Sequence, residues 1–121
     1  NPNGTKDTTF NEGTGFNTGA SEPNGILPTI DGKILAYGYF TQYSGSTSNR
    51  IVKINQNGTI DTSFMVGSGF NNIVGLGKVV LDNKYLFTGE FTSYNGISSN
   101  KAIILNNGLH LFFIYTVREV D

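Results

Sequence analysis

The chain has no cysteine and no tryptophan, and only three prolines among its 121 residues. Without cysteine there is no disulfide, no thiolate metal site and no cysteine nucleophile, and the redox compartment cannot be read from pairing. Charge is scarce as well: eight Lys and Arg stand against nine Asp and Glu, with no run of either sign. Nucleic acid and anionic membranes are held by clustered cations, so neither is an expected partner. No stretch approaches the roughly 18 apolar residues of a membrane-spanning helix. The longest apolar run, from Leu109 to Val117, contains His110 and Thr116, and membrane insertion is not expected. Sustained helical periodicity with caps is also missing, so almost no helix is expected. The chain starts without methionine at Asn1-Pro2-Asn3-Gly4; a missing upstream stretch is expected, in which a signal peptide would be invisible.

What is present is glycine, sixteen of them, with abundant Asn, Thr and Ser, a composition of short strands and tight turns. It is organised as an internal repeat. Asn57-Gly58-Thr59-Ile60-Asp61-Thr62-Ser63-Phe64 restates Asn3-Gly4-Thr5-Lys6-Asp7-Thr8-Thr9-Phe10, and Gly67-Ser68-Gly69-Phe70-Asn71 restates Gly13-Thr14-Gly15-Phe16-Asn17, both at an offset of 54. The next blocks are offset by 51: Asp31-Gly32-Lys33-Ile34-Leu35 against Asp82-Asn83-Lys84-Tyr85-Leu86, and Gly38-Tyr39-Phe40-Thr41-Gln42-Tyr43-Ser44-Gly45 against Gly89-Glu90-Phe91-Thr92-Ser93-Tyr94-Asn95-Gly96. Ser48-Asn49-Arg50 then matches Ser99-Asn100-Lys101. The length difference falls between Thr18 and Ile30, where Pro23-Asn24-Gly25 reads as an extra turn in a loop. A unit of about 50 residues is too long for most helical repeats and suits propeller blades.

Strands are expected at about 26–30 and 33–40 in one unit and 73–81 and 84–91 in the next. They flank two-residue hairpin turns at Asp31-Gly32 and Asp82-Asn83, which tolerate positive φ. The β-branched runs Ile51–Ile54 and Ala102–Leu105 are third strands. The fold class is therefore all-β: antiparallel β-propeller-like blades, two repeat units plus an N-terminal leader strand and a divergent C-terminal strand. A single domain over 1–121 is expected. Residues 1–17 end a preceding repeat, 18–71 form the first full unit, and 72–121 the second, with its divergent strand at 109–120.

At these residues the chain resembles the delta-60-type β-propeller repeat family, whose pattern is D-G-K-I-L-x-x-G-x-F-T-x-Y-x-G followed by N-R-I-x-x-L-N-x-D-G-S-x-D-T-S-F. Residues 31–64 match it well. The resemblance implies blades of antiparallel sheet, in bacterial extracellular proteins and phage structural proteins of mostly unassigned function. Two features depart from the pattern. The Asp of the N-x-D-G turn is Asn3 and Asn57, and after Asn107-Gly108 the expected Asp-Thr-Ser-Phe run is replaced by Leu109-His110-Leu111-Phe112-Phe113-Ile114-Tyr115-Thr116-Val117. That tail reads as a capping strand, a pairing element for another chain, or the product of a shifted reading frame.

Candidate sites are few. Asn55-x-Asn57-Gly58-x-x-Asp61 has the spacing of a calcium loop but one carboxylate, too little charge for a hard cation. Asx side chains closing their own turn explain the same letters, so no metal and no cofactor are expected. Asn-Gly-Thr at Asn3 and Asn57 spells a glycosylation acceptor, but the repeat itself dictates those letters. The pairs Phe10/Phe64, Phe16/Phe70 and Phe40/Phe91 read as core. Tyr43 and Tyr94 each lie in a Thr-x-Tyr-x-Gly loop, beside Ser44 and Asn95 respectively, and a tyrosine face near amides suits a sugar. Ligand binding is therefore assigned to Tyr43, Tyr94, Asn95 and Glu90, the last because Glu90 replaces Tyr39 and is not demanded by the repeat. Arg50 and Lys101 read as repeated salt bridges or solvated edge charges. His110 has no Cys or acidic neighbour to form a zinc or triad motif, and no catalytic residues are assigned.

Two units fall short of the about 4–8 blades of a closed propeller, and exposed strand edges invite pairing. Either the native protein is longer or copies associate, and of these self-association through residues 1–10 and 109–120 is the one expected. The function expected is a noncatalytic structural or adhesive repeat module that assembles with copies of itself in an extracellular bacterial or phage structure, located outside the cell or on a virion surface. The alternative is a carbohydrate-binding propeller lectin using the Tyr43 and Tyr94 loops, with glycan as partner.

Overall fold

The computed structural model describes residues 4, 9, 13, 15–17, 22–62, 68–81, 84–106 and 111–116, the last six as backbone alone. The described residues contain no helix. In chain order the strands are β1 (Pro23–Pro28), β2 (Ile34–Gly38), β3 (Gln42–Tyr43), β4 (Ser46–Thr47), β5 (Ile51–Ile54), β6 (Val74–Leu81), β7 (Lys84–Gly89), β8 (Ser93–Tyr94), β9 (Ile97–Ser98), β10 (Lys101–Asn106) and β11 (Leu111–Thr116). They form two larger antiparallel sheets, ordered β1-β2-β5 and β11-β10-β7-β6, and two small hairpins, β3-β4 and β8-β9. Each larger sheet runs strand beside strand as a propeller blade does, and each unit carries one small hairpin between its second and third long strands.

The first hairpin corrects two expectations. Pro23-Asn24-Gly25 is the start of β1 rather than a turn, and the pairing absorbs it as a register shift between Pro23 and Gly25 opposite Gly38 and Tyr37, a β-bulge. The connection from β1 to β2 is Ile30-Asp31-Gly32, three residues rather than two: Gly32 N–H donates to the Thr29 carbonyl at 3.0 Å and Thr29 N–H to the Lys33 carbonyl at 2.9 Å. Only Gly32 has positive φ, 78°, the signature of a type I turn closed by a glycine bulge. The Thr29 hydroxyl decides the longer form, accepting from Lys33 N–H at 2.9 Å and donating to the Asp31 carboxylate. In the second unit Leu81 pairs with Lys84, and Asp82-Asn83 lie outside the described residues.

Alternation sets the two cores. Because Phe16 bridges to Tyr43 and Phe70 to Tyr94, residues 15–17 belong with the first unit and 68–71 with the second, rather than with the unit before. Leu35, Tyr37 and Ile51 then point from the first unit into a cluster with Phe70, Val74, Tyr85, Phe87, Phe91, Tyr94, Ile103 and Leu105 of the second. Ala36, Val52 and Ile54, on the other face of the first sheet, join Phe40 and Tyr43. Each phenylalanine buried in the first cluster contributes about 2–3 kcal/mol, so the contact between units is the main apolar interior of the molecule. The C-terminal segment is a fourth strand: β11 pairs antiparallel with β10, from Lys101 opposite Thr116 to Leu105 opposite Leu111. The first unit has no such strand among the described residues; beyond β5 there is a single bridge, Ile54 to Ile60.

Candidate functional site

The residues assigned to a ligand do not converge. Tyr43 and Tyr94 are 1% and 2% exposed, so neither ring offers a face to a sugar, which corrects the expectation of tyrosine loops. They belong to β3 and β8, and the loop reading failed on its turn residues: Ser44 and Asn95 sit at φ 51° and 50°, each followed by a glycine at φ 80° and 79°. Two successive positive φ values make the two-residue turn of a tight hairpin, and Asn95-Gly96 is its strongest sequence signal. The Tyr43 hydroxyl donates to the Gly58 carbonyl at 2.5 Å. Burial pushes the Tyr94 phenol far above its ordinary range. Asn95 has a structural task, accepting from Ser68 N–H at 3.1 Å. Glu90 is exposed, 3.5 Å from Lys101 in a pair open to water on both sides, worth little.

What the repeat does build, twice, is a docking geometry. In each unit a Gly-Phe-Asn segment lies beside the small hairpin, bridging Phe16 to Tyr43 and Phe70 to Tyr94. Ser44 N–H donates to the Gly15 carbonyl and Asn95 N–H to the Gly69 carbonyl, both at 2.7 Å. The asparagine is a staple. The Asn17 carbonyl oxygen accepts from Thr41 and Gln42 N–H, both at 3.1 Å, while its amide donates to the Thr41 hydroxyl at 3.1 Å. Asn71 repeats the set on Thr92 and Ser93 at 2.8, 3.0 and 2.8 Å. Above the staple sits an aromatic triad: Phe16 with Phe40 and Tyr43 at 4.6 and 5.0 Å, and Phe70 with Phe91 and Tyr94 at 4.5 and 4.7 Å. The repeated letters Gly-Phe-Asn carried this signal, but only the fold shows which backbone they hold.

The second unit's segment also locks onto the first unit. Phe70 N–H donates to the Asn49 carbonyl at 3.1 Å, the Asn49 amide donates to the Ser68 carbonyl at 3.0 Å, and Arg50 Nη1 donates to the Phe70 carbonyl at 3.3 Å. Asn24 adds a bond to the Val74 carbonyl at 2.9 Å, and Tyr37 meets Phe87 edge-on at 5.7 Å. The approach at Gly69 is so close that a Cβ there would lie 2.6 Å from the Asn49 carbonyl oxygen. Arg50 and Lys101 share a left-handed backbone, φ 67° and 70°. Arg50 was read as a salt-bridge or edge charge; instead it spans the seam, with Nε buried and without a hydrogen-bond partner.

Electrostatics reinforce the first unit. Lys33 pairs with the buried Asp61 at 2.8 Å, and the buried Lys53 with Asp31 at 3.0 Å, two crossed ties between the first hairpin and the β5 region. Burial favours the neutral acid of Asp31, but the Thr29 hydroxyl and the Lys53 ammonium favour the anion, outweigh it and hold the carboxyl at about 2. Burial and the Asp31 charge raise the Tyr85 phenol across the seam. Within the calcium-like loop, the Asn57 carbonyl oxygen accepts from Thr59 N–H at 3.2 Å and from its hydroxyl at 2.6 Å. The Asn55 amide donates to the Thr59 hydroxyl at 3.1 Å. These oxygens close a turn, and Asp61 serves an ion pair. No group of three His, Asp or Glu that could hold a metal occurs among the described residues. An open cleft of about 600 Å³ runs along the outer edge of β5, lined by Ser46, Thr47, Ser48, Thr59 and Asp61 among others.

Residues 31–64 match a family model described as a domain of unknown function (DUF5122) beta-propeller. No curated protein and no solved structure matches the chain. The match runs from the turn that follows β1 through β2, the small hairpin and β5 to the turn beyond it. With the all-β sheets it supports a propeller repeat, while the narrower delta-60-type assignment stays a resemblance.

Proposed function

We propose, from the premise of a β-propeller repeat, that this chain is a noncatalytic structural or adhesive module that assembles with copies of itself. The observation that carries the reading is the seam between the two units. One face of each repeat is shaped to receive the Gly-Phe-Asn segment of the next, which is the nearest-neighbour logic of stacked repeats. In this reading the same kind of contact joins one copy to the next. Self-association through residues 1–10 and 109–120 belongs to the same proposal: β11 stands at the end of its sheet, where a further strand can pair, while residues 1–10 lie, except Gly4 and Thr9, outside the described residues. The extracellular or virion-surface setting rests on the family resemblance.

The test is the mass of the native particle, by light scattering with electron microscopy of the same sample. Rings or filaments are expected, according to whether the head-to-tail rotation closes. A stable monomer at all concentrations would sink the proposal.

A further inference from the structure

The second unit's far face carries the same socket that the first unit fills from within the chain. Asn100 stands where Asn49 does and Lys101 where Arg50 does, with the same left-handed backbone at the cation. Among the described residues nothing bonds to Asn100, whereas the Asn49 carbonyl and amide are both taken by residues 68–70. At the other end, Phe16 is the counterpart of Phe70. The bonds of its bridge use the Gly15 carbonyl and Asn17 N–H, which leaves Phe16 N–H and C=O pointing away from the hairpin, and no partner for them occurs among the described residues.

Burial agrees in part at both ends. Leu35 and Ile51 are fully buried at the inner seam; of their counterparts, Leu86 is half-buried and the small Ala102 is buried. Phe70 and Tyr85 are buried at 0% and 1%, while their counterparts Phe16 and Ile34 are half-buried. The glycines agree too. A Cβ on Gly69 would strike Asn49, whereas a Cβ on Gly15, at nearly the same φ of 68°, meets nothing within 4 Å. Both faces are shaped like a seam and lack the other half.

We infer that the Asn100-Lys101 socket of one molecule binds the Gly15-Phe16-Asn17 segment of a second copy, head to tail, as Asn49-Arg50 binds Gly69-Phe70-Asn71 within the chain. The inference rests on the self-assembly reading and places a contact at residues 15–17 and 100–101, next to the terminal segments 1–10 and 109–120 rather than within them. Phe16 N–H of one copy donates to the Asn100 carbonyl of the other, and Lys101 leaves the weak pair with Glu90 to reach the Phe16 carbonyl. The apolar part of this seam is thinner than the internal one. Where Tyr37 meets Phe87 inside the chain, the corresponding positions are Thr88 and Ala36, and Ala36 is already buried beneath Phe40 and Tyr43 in its own unit, so the seam between copies rests on its polar bonds and on Phe16. Association is therefore concentration-dependent and more fragile than the tie between units. The contact is heterologous, so it propagates into a ring or a fibre rather than stopping at a symmetric dimer.

The experiment is sedimentation velocity over a concentration series on the 121-residue chain and two variants, with near-UV circular dichroism as the folding check. Gly15→Asn places a Cβ at the contact in a residue that tolerates the left-handed region, and Asn100→Ala removes the amide from the opposite side. Each variant is expected to keep the native fold and to need at least about tenfold more protein to associate, equivalent to about 1.4 kcal/mol. The double variant should lose little beyond Gly15→Asn, because both act on one contact. If the wild type associates and both folded variants match it, the socket is wrong while self-assembly stands. If the wild type is monomeric throughout, both the socket and the self-assembly reading fall.

Discussion

Replacing Gly77 by alanine puts one methyl group into the contact between the two units. Gly77 lies on β6, and a Cβ there would come 2.7 Å from Tyr37 Cε1 and 2.8 Å from Phe87 Cε1. Neither ring can step aside. The Tyr37 ring is already closed in by Gly25 on β1, whose own Cβ would meet the Tyr37 hydroxyl oxygen at 2.3 Å, and Phe87 is fully buried against Phe70 at 5.9 Å. Overpacking of this kind costs about 1–3 kcal/mol. Alanine in a strand regains about 0.5–1 kcal/mol of backbone entropy over glycine, leaving a net loss of about 0–2.5 kcal/mol, centred near 1 kcal/mol. For a chain of this length each 1 kcal/mol lowers the melting temperature by roughly 3–6 °C. Gly75, on the same strand, is the control. Its nearest contact would be the Thr88 carbonyl oxygen at 3.7 Å, an ordinary separation, so Gly75→Ala should raise the melting temperature by a few degrees. Thermal unfolding followed by far-ultraviolet circular dichroism separates the two. If Gly77→Ala melts at or above the wild type, the seam is not packed as described. Phe87→Leu in the Gly77→Ala background should recover part of the loss, since a smaller side chain gives the methyl room.

Asn71→Ala removes a three-bond staple from Thr92 and Ser93; because the site is solvent-exposed, water replaces part of it and the expected loss is about 1–2 kcal/mol in urea unfolding. Tyr43→Phe strands a buried Gly58 carbonyl and should cost about 1–2 kcal/mol, read from the same transition; no loss would contradict the hydroxyl bond. Asp31 titrates at about 2 in the fold against 3.8 unperturbed. Its contribution is therefore complete above pH 4 and is lost as pH falls from about 4 through 2. Melting temperatures across that window should fall more steeply for the wild type than for Asp31→Asn, and parallel curves would refute the assignment. Fluorescent glycans should show no dependence on Tyr43 or Tyr94 beyond folding, since both rings are buried; a folded Tyr94→Phe variant that selectively lost a glycan would reverse that conclusion.

The letters of the chain were enough for the repeat, its period, the all-β class and the third strands at Ile51–Ile54 and 101–106, because spacing and β-branched runs are local properties that survive without coordinates. Phe40, Phe70 and Phe91 were legible as core for the same reason, a large ring recurring at equivalent positions having to be packed somewhere, while Phe16 is half-buried and Phe10 and Phe64 lie outside the described residues. Three things were not legible. Tyr43 and Tyr94 went inward because Ser44-Gly45 and Asn95-Gly96 turn a loop into a hairpin, and the burial of its second strand residue depends on a phenylalanine arriving from 27 or 24 residues upstream. Thr29 lengthened the first turn through a hydroxyl whose bonds no pattern records. Asn17, Asn71 and Asn49 are only repeat letters in the sequence and Arg50 reads there as a salt bridge or edge charge, because their partners lie about 20 or more residues away. Periodicity tells a residue which face it occupies. Only the closing of distant segments onto one another decides what that face meets, and in this molecule the meeting of unit with unit is where most of the apolar interior is made.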